Sequence, residues 1–273
     1  MSEIAPPSSA SLDQTYVFSN EWELARTRLS MLEACHDPTS FRCAAALGVR
    51  PGWKCLDAGA GGGSFARWLA ERVGSGGGVV AADLDVRLLE DLNASNVEVR
   101  QLDLVRDELP EAAFDLVHTR MVLMHIPARD AVLARLVRAL RPGGVVMIEE
   151  QDIFPIPLAP AGGYADAWAA FVPAMRAAGV DPEWARRLPD RLASIGVTGV
   201  EAEVDVQLFC GGSPAARFWS LTWLQARERL IRAGIEGDLV DRGRAALDDP
   251  ACWFYGPAMV IASGHQPQPL DAR

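Results

Sequence analysis

Between Cys55 and Ser64 the chain reads Cys-Leu-Asp-Ala-Gly-Ala-Gly-Gly-Gly-Ser, and two residue types there carry chemistry. Glycines permit positive φ and let the backbone approach a ligand where a Cβ would clash. The free N–H groups of the helix start at Ser64 favour anionic groups. Asp57, in the short apolar strand that starts at Trp53, works in the other direction. Its carboxylate disfavours a pyrophosphate and suits a ligand with a cationic amino-acid portion. A dinucleotide loop requires Gly-x-Gly-x-x-Gly; Gly59 and Gly61 fit its first two places, but Ser64 stands at the third. A second carboxylate, Asp83, lies 24 residues beyond Gly59 at the end of the next buried-type strand. Nucleotide-binding α/β folds place an acid close to this position, where its two oxygens match a vicinal diol. His118 and His125 are candidate general bases because imidazole titrates near neutrality. Glu150, Asp152 and Tyr164, just past the fifth strand, are further candidates for the pocket of a reacting partner.

These residues need a scaffold, and the chain alternates strands and helices in the right order. Strands are expected at Val79–Ala82, Val97–Val99, Phe114–Val117 and Val145–Glu149 after the one at Trp53. Between them come a helix carrying Phe65, Trp68, Leu69 and Val73, one over Val86–Asn93 capped by Asp85, and one from Ala128 to Leu140. Arg141-Pro142-Gly143-Gly144 is expected to separate that last helix from the fifth strand. Such alternation predicts a parallel, doubly wound sheet with helices on both faces, and ligands in such sheets sit beyond the carboxyl ends of the strands. Asp57, Asp83, Asp103 and His118 all fall at those ends.

Asp-x-Gly-x-Gly-x-Gly, from Asp57 to Gly63, resembles motif I of the class I S-adenosylmethionine-dependent methyltransferases. Phe114-Asp115-Leu116-Val117 followed by Leu-x-His at 123–125 is similar to the small-molecule branch that includes ubiquinone-biosynthesis-type C-methyltransferases. The resemblance covers about Trp53 to Glu149. It implies a seven-stranded, mostly parallel Rossmann-like sheet, with S-adenosylmethionine as the cofactor of an enzyme that methylates a small molecule, with specialised metabolism as a candidate setting. It further implies that Asp57, Gly59, Ala60, Gly61, Gly63 and Ser64 cradle the methionine end and ribose, and that Asp83 with Leu84 meets the ribose hydroxyls. Asp103 with Leu104 would meet the adenine amino group, and Thr119 and Arg120 would line the methionine end. On this reading Asp57→Ala should abolish cofactor binding and leave the fold intact. Neither the Asn-Pro-Pro-Tyr loop of amino-methylating DNA enzymes nor the Pro-Cys pair of cytosine C5 enzymes is found. Two alternatives stay open: an S-adenosylmethionine-binding protein without methyl transfer, and an NAD(P)-dependent oxidoreductase on the same sheet.

Outside the core, residues 1–14 are rich in Ser, Pro and Ala and are expected to form a disordered tail. Residues 15–48 are expected to hold two helices, the second starting at Asp37-Pro38, that either pack on the core or, as the resemblance implies, lid the site and bring Tyr16, Trp22 and Arg26 toward a pocket. With the cofactor core at 49–150, residues 151–273 supply helices at 164–178 and 182–195, a strand at 200–209, an inserted helix at 215–233 and a last strand near 259–262. This half holds 12 of the chain's 20 aromatic residues. That concentration points to an apolar or aromatic acceptor, with Trp219 and Trp223 as pocket residues.

The net charge of -10 over 273 residues, without a basic cluster, excludes nucleic acid as an expected partner. The five cysteines are odd in number and lack C-x-x-C spacing, which predicts a reducing compartment and no zinc site. No basic segment followed by an apolar run opens the chain, and no stretch approaches the roughly 20 apolar residues of a membrane span. A cytoplasmic protein without membrane attachment is expected; a homodimer is compatible with the sequence.

Overall fold

The computed structural model describes residues 20–159 and 162–268; the expected tail over residues 1–14 and Tyr16 lie outside them. The first half builds β1 (Lys54–Ala58), α2 (Ser64–Val73), β2 (Gly78–Asp83), β3 (Val97–Gln101), β4 (Phe114–Arg120), α3 (Arg129–Arg138) and β5 (Leu140–Asp152), preceded by α1 (Ala25–Ala46). The second half adds α4 (Gly163–Ala177), α5 (Leu188–Ser194), β6 (Thr198–Asp205), β7 (Leu208–Cys210), α6 (Pro214–Arg232), α7 (Gly237–Asp248), β8 (Trp253–Tyr255) and β9 (Ala258–His265). Seven strands form one sheet in the order β3-β2-β1-β4-β5-β9-β6. The strands from β3 to β5 run parallel, while β9 is antiparallel to both β5 and β6. The expected mostly parallel, doubly wound sheet is therefore present.

Strand order turns between β1 and β4, because β1 pairs with β2 on one side and β4 on the other. That reversal opens a crevice at the carboxyl ends of the strands. Both faces of the sheet are covered, so the central strands are nearly continuously apolar rather than alternating. One face buries Leu56, Val117, Val146 and Ile148 against Leu133 and Leu136 of α3 and Leu188 and Leu192 of α5. The other buries Cys55, Leu116, Val145 and Met147 against Phe65 and Leu69 of α2 and Ala44 of α1. A separate cluster joins α4, α6 and α7 to the β7–β8 ribbon around Tyr164, Trp168, Trp223, Val240 and Phe254. This cap sits in the chain on either side of β6. Among the described residues no helix is long and apolar enough to cross a membrane.

Several local expectations are corrected. The two N-terminal helices are one, with Pro38 inside α1. A proline in a helix gives up one backbone hydrogen bond. Here the buried stripe Leu32, His36, Ser40, Cys43 and Ala44 keeps the helix docked through that break. Asp37 does not cap a second helix; its carboxylate turns to Ser64 and Arg120. After Asp85, which does cap by accepting from the Arg87 N–H at 3.2 Å, only a 3₁₀ turn over Val86–Leu89 forms. Residues 141–144 join β5 rather than precede it, so Glu150 and Asp152 lie within the strand. The expected 200–209 strand splits into β6 and β7.

Candidate functional site

The glycine loop fills the crevice beside β1. The Gly59 and Ala60 N–H groups donate to the Ala82 carbonyl at 2.7 and 2.9 Å, drawing the loop against the end of β2. Gly59, Gly61 and Gly63 adopt φ of +85°, +56° and +84°. At Gly59 the need is double, because a Cβ would also overlap Val122 Cγ2. Asp83 ends β2 with Oδ2 accepting from the Gly61 N–H at 2.9 Å and Oδ1 from the Asp85 N–H at 3.1 Å. Burial pushes its carboxyl pKa up, although those two bonds oppose the shift. Each oxygen retains accepting capacity toward a ligand. Leu84 beside it is exposed. Asp103, past β3, is half-buried and turned into its own loop, where Oδ1 accepts from Val105 N–H at 2.8 Å. Leu104 next to it is buried.

Below the loop lies a chain of buried polar groups on the α1 side of the sheet. Asp57 and His118 are register partners on β1 and β4, which puts both side chains on one face. Glu149 of β5 shares it. The His118 ring donates from Nδ1 to Asp57 Oδ1 at 2.7 Å and from Nε2 to Glu149 Oε1 at 2.8 Å. Phe65 stacks on the imidazole with ring centroids 3.7 Å apart. Burial alone would drive the imidazole toward neutrality; the two carboxylates outweigh it and raise the His118 pKa. For Glu149, burial would raise the pKa, but the bond and charge of His118 outweigh it and hold the carboxyl below its ordinary value. The chain continues into α1: Ser40 Oγ donates to Glu149 Oε2 at 2.8 Å, and Arg120 donates to Ser40 Oγ and Asp37 Oδ1, each at 2.9 Å. Ser64 Oγ at the start of α2 donates to Asp37 Oδ1 at 3.0 Å. Five charges of alternating sign, Asp57, His118, Glu149, Arg120 and Asp37, thus tie β1, β4, β5 and α1 together.

Among the described residues, the buried oxygens Asp57 Oδ2 and Glu33 Oε1 lack a donor in this region, although Ser64 hydrogen-bonds to the Glu33 carboxyl and works against the rise in its pKa. Glu33 of α1 rests on the loop, where a Cβ at Gly62 would overlap its Oε1. Its pKa is raised by burial and then by the Asp37 charge.

The structure gives other places to several residues expected to act on an acceptor. His118 has both ring nitrogens engaged and is 1% exposed, so it is not a free base. His125 follows the turn after β4, half-buried, with its pKa pushed down to about 4 by burial and by Arg28 and Arg129. Glu150 points to the opposite face from Glu149. Its Oε1 accepts from the Val122 and Leu123 N–H groups at 3.0 and 2.6 Å, and Oε2 from Met124 N–H at 3.3 Å. It braces the turn in which Met121 adopts φ +56°. Asp152 is buried and clamped by Arg186 through two bonds of 2.7 Å. Thr119 is buried on the face away from His118. Tyr164 donates to the Tyr255 carbonyl at 2.9 Å inside the cap, and Trp223 is core beside it. Trp22 is half-buried ahead of α1, where its carbonyl accepts from Ala25 N–H at 2.9 Å.

Trp219, unlike Tyr164 and Trp223, lines a small cleft between α1, the end of β5 and the cap, with room for about one water molecule and with Cys35, His36, Gln151, Gln207 and Phe218 among its other walls. Sequence reasoning missed His36 and Gln151, and also Glu33, Asp37 and Ser40. The helical spacing of Glu33, His36, Asp37 and Ser40 was the available signal, obscured by reading Asp37-Pro38 as a helix start.

Comparison with known proteins agrees with the loop's geometry. Residues 56–148 match the family profile described as "Methyltransferase domain". The ubiquinone/menaquinone biosynthesis C-methyltransferase of Bordetella parapertussis is 35% identical over 119 residues, 41% of this chain and 46% of that protein. Methyltransferase str3 of Strobilurus tenacellus is 29% identical over 157 residues, 56% of this chain and 55% of that protein. The chain thus spans about half the length of the curated relatives it matches. Among solved structures, phosphoethanolamine N-methyltransferase 2 of Haemonchus contortus, in complex with S-adenosyl-L-methionine, superposes with TM-score 0.53 at 21% identity, covering 92% of this chain and 55% of that one. A methyltransferase-like protein of Bacillus halodurans superposes with TM-score 0.55 at 17% identity, covering 84% and 100%. These two share the fold.

Proposed function

We propose that this chain, whose residues 56–148 match a methyltransferase-domain family, moves a methyl group from S-adenosylmethionine to a small, uncharged acceptor. The observation that carries the reading is the glycine loop at the switch point, flanked by carboxylate oxygens of Asp57 (Oδ2) and Glu33 (Oε1) that have no donor among the described residues. A buried carboxylate oxygen without a partner is costly. An ammonium group at the amino-acid end of the cofactor supplies the missing donors. A pyrophosphate at the same place would face both carboxylates, which counts against a dinucleotide. Asp83 would hold the ribose hydroxyls through its remaining lone pairs, and Asp103 would meet the adenine amino group.

Bound there, S-adenosylmethionine supplies an electrophilic methyl carbon. The chain's own contribution is to position and to exclude water. α1 lays Glu33 on the loop, and Leu29 comes within 3.8 Å of where a Cβ on Gly61 would stand. The Ser40–Glu149 and Asp37–Arg120 links hold that helix on the sheet. Glu150 fixes the turn that presses Val122 against Gly59. The curated relatives named as C-methyltransferases of quinone biosynthesis support a small-molecule acceptor. Incubation with S-adenosylmethionine and a panel of uncharged aromatic acceptors, with release of S-adenosylhomocysteine as readout, tests the reading. Acceptor-dependent release is expected. Binding of the cofactor with no release across the panel would instead favour a binding protein without methyl transfer.

A further inference from the structure

The buried chain from Asp57 to Asp37 does not balance in charge. Among the described residues it holds three carboxylates, Asp57, Glu149 and Asp37, and two cations, Arg120 and His118. Burial opposes the charge on His118, and its two carboxylate partners outweigh burial. Glu33, the other carboxylate on the glycine loop, feels the charges of Asp37 and Arg120 and brings no cation. The two ends of the chain differ. At one end Asp37 Oδ1 accepts from Arg120 and from Ser64 Oγ, at 2.9 and 3.0 Å. At the other, Asp57 gives Oδ1 to the His118 ring at 2.7 Å, while its Oδ2 is buried without a donor among the described residues. An excess charge in a site closed to water is costly until something pairs with it. Asp57 leads directly into the glycine loop, so the open oxygen stands at the head of the crevice.

We propose that the ammonium group of the cofactor's amino-acid portion closes this chain at Asp57 Oδ2, and that His118 is the positioning residue that turns that oxygen toward it. The presence of the ammonium rests on the methyltransferase reading above; the role of His118 follows from the packing. The terminal torsion of an aspartate is soft, so its carboxyl group needs a partner to fix which oxygen faces a ligand. Nδ1 of His118 supplies that partner by taking Oδ1. The ring cannot turn away, because Glu149 holds Nε2 at 2.8 Å and Phe65 stacks on its face with centroids 3.7 Å apart. With a carboxylate at each nitrogen both must donate, and only the cationic ring has two N–H groups. His118 is 1% exposed and acts through Asp57 rather than on the ligand itself. The signs then alternate without a break from the ammonium through Asp57, His118, Glu149 and Arg120 to Asp37, with equal numbers of each. Through Ser40, which bonds both Glu149 and Arg120, the same run reaches α1.

Calorimetric titration of the full chain with S-adenosylhomocysteine and with its deamino analogue tests this. The analogue keeps the adenosine, the sulfur and the carboxylate and lacks only the amino group. The wild type is expected to prefer S-adenosylhomocysteine by at least about tenfold, the scale of a charge-assisted hydrogen bond. His118→Asn removes the cation and one of the two ring bonds. It should shrink the preference to about twofold, while the deamino analogue stays within about threefold of its wild-type affinity. A purely structural role would weaken both ligands alike and leave their ratio unchanged, and that result overturns the proposal. If the variant fails to fold by circular dichroism, nitrogen NMR shifts of the wild type with isotope-labelled histidine decide. His118 should show two protonated ring nitrogens with and without S-adenosylhomocysteine, and a neutral ring overturns the proposal. Equal affinity of the folded wild type for the two ligands overturns it as well and leaves the cofactor reading standing. Binding of neither ligand defeats the cofactor reading itself, and the closing of the chain with it.

Discussion

Glu149 and Glu150 are neighbours on β5, both sealed from water, and the fold drives their acidities apart. On the α1 face Glu149 meets the His118 imidazolium and the Ser40 hydroxyl and stays ionised, its pKa held below the ordinary value. On the opposite face Glu150 is hydrogen-bonded by backbone N–H groups of the turn after β4, and burial pushes its pKa up to about 7 against those bonds and the weaker pull of the Arg129 charge. Burial is common to both; the difference is a cation in direct hydrogen-bond contact. A buried carboxylate bonded to a cation becomes a charged strut, whereas one bonded to backbone donors, with a cation only nearby, becomes a group that exchanges its proton near neutrality. The two therefore brace different parts of the crevice under different conditions, Glu149 the docking of α1 and Glu150 the turn against Gly59.

The largest test removes the cation. His118→Ala leaves Asp57 and Glu149 buried on one face without a shared countercharge and is expected to lower stability by about 3–5 kcal/mol in urea denaturation. A loss under about 1 kcal/mol would break the contrast, because it would show that Glu149 needs no partner. Ser40→Ala removes one hydroxyl that serves both Glu149 and Arg120 and should lower stability by about 1–2 kcal/mol. Glu150→Gln keeps an acceptor oxygen for the turn and should change stability at pH 7 by less than about 1 kcal/mol. Its signature lies in pH dependence. With its pKa raised in the fold, Glu150 contributes stability that is fully present below the unfolded carboxyl value and is lost as pH rises through about 7. Glu149, with a lowered pKa, contributes stability that is present above its ordinary value and is lost on acidification. Stability measured from pH 5 to pH 8 should thus show a downward component in the wild type that Glu150→Gln removes; an unchanged profile would assign that titration to another group.

The sheet was legible because the central strands carry buried-type apolar runs bounded by glycine turns, a signal that needs no tertiary information. Gly59, Gly61 and Asp83 were legible for a similar reason: positive φ and a strand-end carboxylate leave local marks. What was hidden depends on groups far apart in sequence. Asp57 read as a cofactor residue free of other duties, yet it also holds His118, 61 residues away. Asp57→Ala, expected from the sequence to spare the fold, therefore also unpairs a buried imidazolium and should destabilise it. His118 and Glu150 read as reactive because their types are reactive; only packing shows that their valences are occupied. The α1 face was missed because Asp37-Pro38 carries the local marks of a helix start, and the buried stripe from Leu32 to Ala44 overrides them. The cleft between α1 and β5 has no local mark at all, since His36 and Gln151 come to its walls only when α1 lies on β5.

The most direct test of the cofactor site is isothermal titration of the wild type and Gly59→Val with S-adenosylmethionine and S-adenosylhomocysteine, alongside circular dichroism. Position 59 has φ +85° and a Cβ there overlaps Val122, so the substitution closes the loop without touching the buried charges. Wild-type dissociation constants in roughly the micromolar range are expected for both ligands, with at least about a hundredfold loss in the folded variant. A folded wild type that binds neither, or a Gly59→Val variant that binds as the wild type does, would contradict the assignment of this loop as the cofactor cradle.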